Sequence, residues 1–173
     1  MNTSSHDDVR SNLRQHLAAL WRFALVLSRS RDTAEDLVQA TCVRALERAG
    51  QFEPGTRLDR WLFSILHSIW VNEARARKVR QGKGVVDAEL ALTFDGGHAI
   101  ETNILAAQML KAIGALPEGQ REAVLLVYAE GYSYRDAATV LGVPIGTIMS
   151  RLAAARARLA DLNGTSEDGD GRH

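Results

Sequence analysis

The chain has 173 residues, 46% apolar and 24% charged, which is ordinary globular usage for one domain or two small ones and excludes global disorder. Lys and Arg total 21 and so do Asp and Glu, so an arm that holds nucleic acid by bulk charge alone is excluded and any basic surface must be local. The single cysteine, Cys42, excludes an intramolecular disulfide and a Cys-rich zinc site.

Met1 to Arg10 is polar and lacks the apolar core of a signal peptide; residues 1–9 are expected to be a flexible N-terminus. A first helix follows, with Leu13, Leu17, Leu20, Ala24 and Leu27 on one apolar stripe, and Trp21 is assigned to the core. Asp32, with Glu35 three residues on, resembles a capping box for a second helix. Ala34, Val38, Cys42, Ala45 and Ala49 form its stripe, and Gly50 stops it. After the loop Gln51–Thr56, a third helix carries Leu58, Leu62, Ile65 and Ile69 and ends in Arg75, Arg77, Lys78 and Arg80. Residues 1–80 hold 13 basic and 9 acidic side chains, whereas residues 81–105 hold 1 and 4. The Gly-rich acidic stretch 81–99 reads as a linker.

Leu105, Met109, Ala112 and Leu116 then make a helical stripe that Pro117 terminates. Pro117 suits the first turn of the next helix, which runs to Glu130 and is closed by Gly131. Ser133 is the N-cap of a short helix, Tyr134 to Leu141. Gly142-Val143-Pro144 makes a tight turn, and a last helix runs from Ile145 to Leu162 with Ile148, Leu152, Ala155 and Leu159 buried. The tail 163–173 is expected to be disordered. The apolar runs are near five residues, as in Ala123 to Tyr128, too short to cross a bilayer. No membrane insertion is expected, and the cytoplasm is the default location.

Ser133 to Leu152 has the composition of a helix-turn-helix. Ala137 and Ala138 are small where two helices must cross, Gly142 permits positive φ at the turn, and Val143, Ile148 and Leu152 anchor the second helix. With Ile148 and Leu152 inward, Thr147, Ser150, Arg151 and Ala154 point outward or sideways. Arg151, Arg156 and Arg158 add charge for phosphates and bases.

Gly142 to Leu152, followed by Ala155 to Leu159, resembles region 4 of bacterial sigma-70-family RNA polymerase sigma factors. Asp32 to Thr41 resembles the region 2 helix that binds the polymerase clamp, and Phe52 to Thr56 with Trp61 to Ile65 resembles the loop and helix that melt and read the minus-10 element. The likeness spans about residues 10–162. Its linker is too short for an intervening domain, as in the extracytoplasmic-function (ECF) group. The implied fold is all-α: a region 2-like bundle at 10–80 and a region 4-like helix-turn-helix at 100–162, joined by the acidic linker.

The resemblance implies an alternative sigma factor, with core RNA polymerase and promoter DNA as partners and an anti-sigma factor as regulator. Asp32, Glu35, Asp36 and Gln39 would meet the polymerase. Arg57, Arg60, Arg75, Arg77 and Lys78 would line the groove for the minus-10 strand, since melted DNA is held by cations and by pockets for unstacked bases. Trp61 and Trp70 are stacking candidates there, with core packing as the other reading for Trp61. Thr147, Ser150, Arg151, Arg156 and Arg158 would address the minus-35 element. Met149, Ala153 and Ala154 depart from the basic or polar residues common in the family, and His67-Ser68 from its Arg-Asn pair. No catalytic constellation, metal-ligand spacing or cofactor motif appears, so the protein is read as a non-enzyme without cofactor. Two rival readings remain: a stand-alone helix-turn-helix regulator, and a sigma-like decoy that sequesters an anti-sigma factor.

Overall fold

The structure, a computed structural model, describes residues 3–81 and 111–164. No strand occurs among the described residues, whose main helices are α1 (Thr3–Ser28), α2 (Arg31–Glu47), α3 (Leu58–Gln81), α4 (Glu118–Val124), α5 (Tyr134–Leu141) and α6 (Ile145–Gly164); residues 111–114 are helical as well. The expected linker 81–99, apart from Gln81, lies outside them, as do Leu105, Met109 and the tail from 165 onward.

The N-terminal set packs α1, α2 and α3 together. No Gly or Pro interrupts α1, so nothing breaks it over seven turns. It begins at Thr3 and buries Val9 completely, which corrects the expectation of a flexible N-terminus over residues 3–9; residues 1 and 2 lie outside the described residues. Arg29 follows in the left-handed region at φ 55°, its N–H bonded to the carbonyl of Leu25 at 2.8 Å, a helix stop normally made by Gly. The N-cap of α2 is Ser30, whose Oγ accepts from the N–H of Thr33 at 3.4 Å. Asp32 is therefore a first-turn residue rather than the cap. The buried line of α2 is Ala34, Leu37, Thr41 and Ala45, with Val38 and Cys42 at its margin. In α3 the expected stripe holds: Leu58, Leu62, Ile65 and Ile69 are all buried, and Phe63 stacks on Phe23 at 5.1 Å.

In the C-terminal set, Pro117 is the N-cap of α4 rather than a residue of its first turn. Beyond Val124 the chain widens into a π-helical turn, Leu125–Ala129, before Gly131 at φ 70° reverses it. Ser133 caps α5 as expected, its Oγ accepting from the N–H of Asp136 at 3.1 Å. Ile148, Leu152 and Ala155 of α6 are fully buried. The two sets touch through α1 with α4 and through α3 with α5.

Candidate nucleic-acid interface

Helices α5 and α6 turn through 105° about Gly142, which sits at φ 63°. The turn is closed by the Val143 N–H on the carbonyl of Ala138 at 3.0 Å. Ala137 is fully buried at the crossing, where a larger side chain would push the helices apart. This is the helix-turn-helix geometry, with α6 as the helix offered to a groove.

On α6, Ser150, Arg156 and Arg158 are exposed, Thr147 is half-buried, and Ile145 and Met149 are exposed large apolar side chains. Arg156 donates to the Tyr128 hydroxyl at 2.9 Å. Arg151 is turned toward α4. Its guanidinium lies against Gly119, where an added Cβ would stand only 2.8 Å from Cζ, and its Nη1 is 3.7 Å from the Glu122 carboxylate.

On the N-terminal set, Arg57 and Arg60 stand side by side at the start of α3. Arg57 pairs with Asp59 at 2.6 Å and lies over the Tyr132 ring at 4.9 Å. Burial is the largest single influence on the Asp59 carboxyl and pushes it up, but the hydrogen bonds made to it, that from Arg57 first, and the Arg57 charge together outweigh burial and hold the group below the ordinary carboxylate range. Trp61 is half-buried and packs on Phe52 at 5.3 Å. Trp70 is buried, its indole N–H bonded to Glu118, and Arg77 covers its ring at 4.8 Å. Arg75 is exposed, and Lys78 lies in α3 with its side chain outside the described residues. The minus-10 candidates thus form two groups, Arg57, Arg60 and Trp61 at one end of α3 and Trp70, Arg75 and Arg77 at the other.

Asp32, Glu35, Asp36 and Gln39 are all exposed on one side of α2. The same side continues into Val43 and Leu46, exposed at 50% and 42%. Burial raises the Cys42 thiol on the flank of this helix, which disfavours its thiolate and its reactivity. No cluster of three potential metal-binding side chains occurs among the described residues.

The structure also brings forward residues that the sequence reading did not single out. Glu122 is 5% exposed and lies between His67 of α3 at 3.5 Å and Arg151 of α6. Arg121 is equally buried and donates to the carbonyls of Val26 and Leu116 at 3.1 and 2.6 Å, serving the orphan acceptors at the end of α1. Arg22 pairs with Glu130 at 2.9 Å. Asp136 accepts from Arg60 at 2.7 Å and from Arg57 at 3.3 Å, and the Arg60 hydrogen bond holds its carboxyl below the ordinary range. One signal was available: Glu122 stands four residues before Leu126 on the same helical face, so an acidic residue falls in an apolar row.

Residues 13–80 match Sigma-70 region 2, and residues 106–159 match Sigma-70, region 4. Over 156 residues the chain is 37% identical to the ECF RNA polymerase sigma factor EcfG of Rhodopseudomonas palustris (strain TIE-1), covering 90% of this chain and 85% of that protein. It is 39% identical over 154 residues to the ECF RNA polymerase sigma factor SigM of Mycobacterium tuberculosis, covering 87% and 74%. Among solved structures, the sigma factor RpoE in complex with the anti-sigma factor NepR from Bartonella quintana superposes with a TM-score of 0.76 at 38% identity, over 91% of this chain and 98% of that one. Two sigma regions in the expected order, on an all-helical frame with a helix-turn-helix at its C-terminal end, lead to one assignment: the chain belongs to the ECF group of sigma-70-family RNA polymerase sigma factors.

Proposed function

We propose that this sigma factor binds core RNA polymerase through the exposed side of α2 and addresses promoter DNA with two separate surfaces. Asp32, Glu35, Asp36 and Gln39 present charge and hydrogen-bond acceptors to the polymerase. The arginines of α3 and the half-buried Trp61 take the opened minus-10 strand, with cations for phosphates and a ring face for bases, whereas Trp70, buried, bonded to Glu118 and covered by Arg77, is read as packing rather than as a stacking surface. The recognition helix α6 enters the minus-35 major groove, where Ser150 and Arg151 meet base edges and Arg156 and Arg158 meet phosphates. The observation that carries this reading is the 105° helix-turn-helix joined in one chain to a region 2 match over residues 13–80.

Family membership supports a binding role with catalysis left to the polymerase, and a cytoplasmic site of action where that enzyme works. Likeness to a sigma factor bound by its anti-sigma factor supports a regulator of that kind for this chain. The test is promoter-directed initiation by purified core polymerase with and without the chain. Start-site-specific transcripts that need the chain are expected. Tight promoter binding by the chain alone, with no polymerase association, would instead indicate a stand-alone regulator. Anti-sigma binding without polymerase binding would indicate a decoy.

A further inference from the structure

The ion pairs at Glu122, Glu130 and Asp136 cross between the two helical sets in one direction. The carboxylates Glu122, Glu130 and Asp136 come from the C-terminal set, and their partners His67, Arg22, Arg57 and Arg60 from the N-terminal set. Trp70 follows the same rule with Glu118. The most concentrated of these contacts is at Asp136. One of its oxygens receives Arg60 at 2.7 Å and the other receives Arg57 at 3.3 Å, while all three side chains keep some exposure to water. Two guanidinium groups converging on a pair of anionic oxygens is the chemistry that holds a backbone phosphodiester. A phosphodiester carries the same single charge, and Asp136 occupies the guanidinium edges it would need while α5 is docked on α3.

We infer that Asp136 is an internal competitor for nucleic acid: it fills the Arg57–Arg60 phosphate site in cis, so docking of α5 on α3 and binding of the DNA strand exclude one another. The inference rests on the reading of Arg57 and Arg60 as a DNA-contact pair. The contact is suited to release. Partly exposed ion pairs are weak and screened by salt, so a polyanion or a partner that separates the two sets would free the arginines. An apolar contact also crosses the joint, with Tyr132 packing edge-on against Phe63 at 5.6 Å. If only a fraction of free chains is open, affinity for DNA is reduced by that fraction.

The experiment compares the full-length chain with Asp136→Asn, Arg60→Ala and the double variant, and with the charge control Glu47→Gln, which removes one exposed charge at the C-terminal end of α2, outside the four residues proposed to meet the polymerase. Small-angle scattering reads the separation of the two sets, and a fluorescein-labelled single-stranded oligodeoxynucleotide of mixed sequence reads the site. Asp136→Asn should expand the chain and raise affinity for the strand roughly three- to tenfold above Glu47→Gln, the scale set by one or two ion pairs. Arg60→Ala should also expand the chain but without that gain, and the double variant should lose it. Equal affinities for Asp136→Asn and Glu47→Gln, or an unchanged scattering profile, would overturn the competitor. Initiation assays with core polymerase separate the two levels. If wild type initiates while Asp136→Asn binds no better than Glu47→Gln, only the competitor falls; if no variant initiates, the sigma reading and the competitor fall together.

Discussion

Arg151→Ala tests the recognition helix and its support at once. Arg151 precedes the fully buried Leu152, which turns it about 100° from the core, and the structure uses that direction to rest the guanidinium on Gly119 beside Glu122. At 3.7 Å the gross attraction is roughly 4 kcal/mol at an effective dielectric of 20. Desolvation of a carboxylate that is 5% exposed offsets much of it. Removing the arginine leaves Glu122 buried with His67 alone, so a stability loss of about 1–3 kcal/mol is expected. Adding Glu122→Gln should return much of that loss, giving a coupling of about 0.5–3 kcal/mol in a double-mutant cycle. Denaturant titration of the four proteins measures this. The functional effect is separate. On a promoter library varied in the minus-35 element, and after correction for folded protein, Arg151→Ala should relax preference at one position, since a bidentate contact to guanine discriminates by roughly 1–3 kcal/mol. If every promoter falls equally while the stability coupling is present, Arg151 is a structural partner of Glu122, and the proposed register of α6 in the groove is refuted.

Reversing the charges of Glu35 and Asp36 should weaken association with core polymerase in pull-downs while circular dichroism stays helical; the first-turn dipole effect is only about 0.3–1 kcal/mol per charge. Gly119→Ala should displace the Arg151 guanidinium, the flexible end that an added Cβ would meet, without unfolding α4, because Ala in a helix is favoured over Gly by roughly 0.5–1 kcal/mol; the melting temperature should hold or rise while minus-35 preference changes. Docking of α5 on α3 should depend on acid. The Arg60 hydrogen bond depresses the Asp136 carboxyl in the docked state, so its contribution is fully present above the ordinary Asp value of about 4 and is lost as pH falls through the lower docked value. Scattering at low salt should therefore show expansion on acidification below about pH 4 in wild type and much less in Asp136→Asn.

The elements with one buried side were legible from spacing alone. The stripe of α3, the N-cap Ser133, the turn at Gly142 and the inner face of α6 stand where the periodicity and the capping residues put them. Helix α1 was harder to read because it packs against α2, α3 and α4. Its burial spreads around the helix to include Phe23 and Leu25, while Leu17 of the expected stripe is 38% exposed. A single-stripe pattern has no means of showing this. The start of α2 was misplaced because Ser30 and Asp32 are both good caps, and only the extended backbone of Ser30, at φ −140°, decides between them. The contacts between the two sets were the least legible. Arg57 and Asp136 are 79 positions apart, and nothing in local spacing pairs residues at that range.

His67 shows how a departure from the family pattern acquires a physical role. It stands where the family commonly has arginine, and in this chain it reaches Glu122 of the C-terminal set at 3.5 Å. A shorter side chain fits that half-buried place, whereas an arginine there would bring a second permanent charge next to the one Arg151 already supplies. The same accounting explains how a chain of zero net charge can serve as a DNA-binding factor. Part of the cation set proposed to hold DNA is already matched within the chain: Arg57 and Arg60 by Asp136, and Arg151 by Glu122. Counterion release therefore has fewer cations to act on until those pairs part. Free chain should bind duplex promoter poorly, and the salt dependence of its binding should steepen once polymerase is present, because separating the two sets adds arginines to the phosphate count.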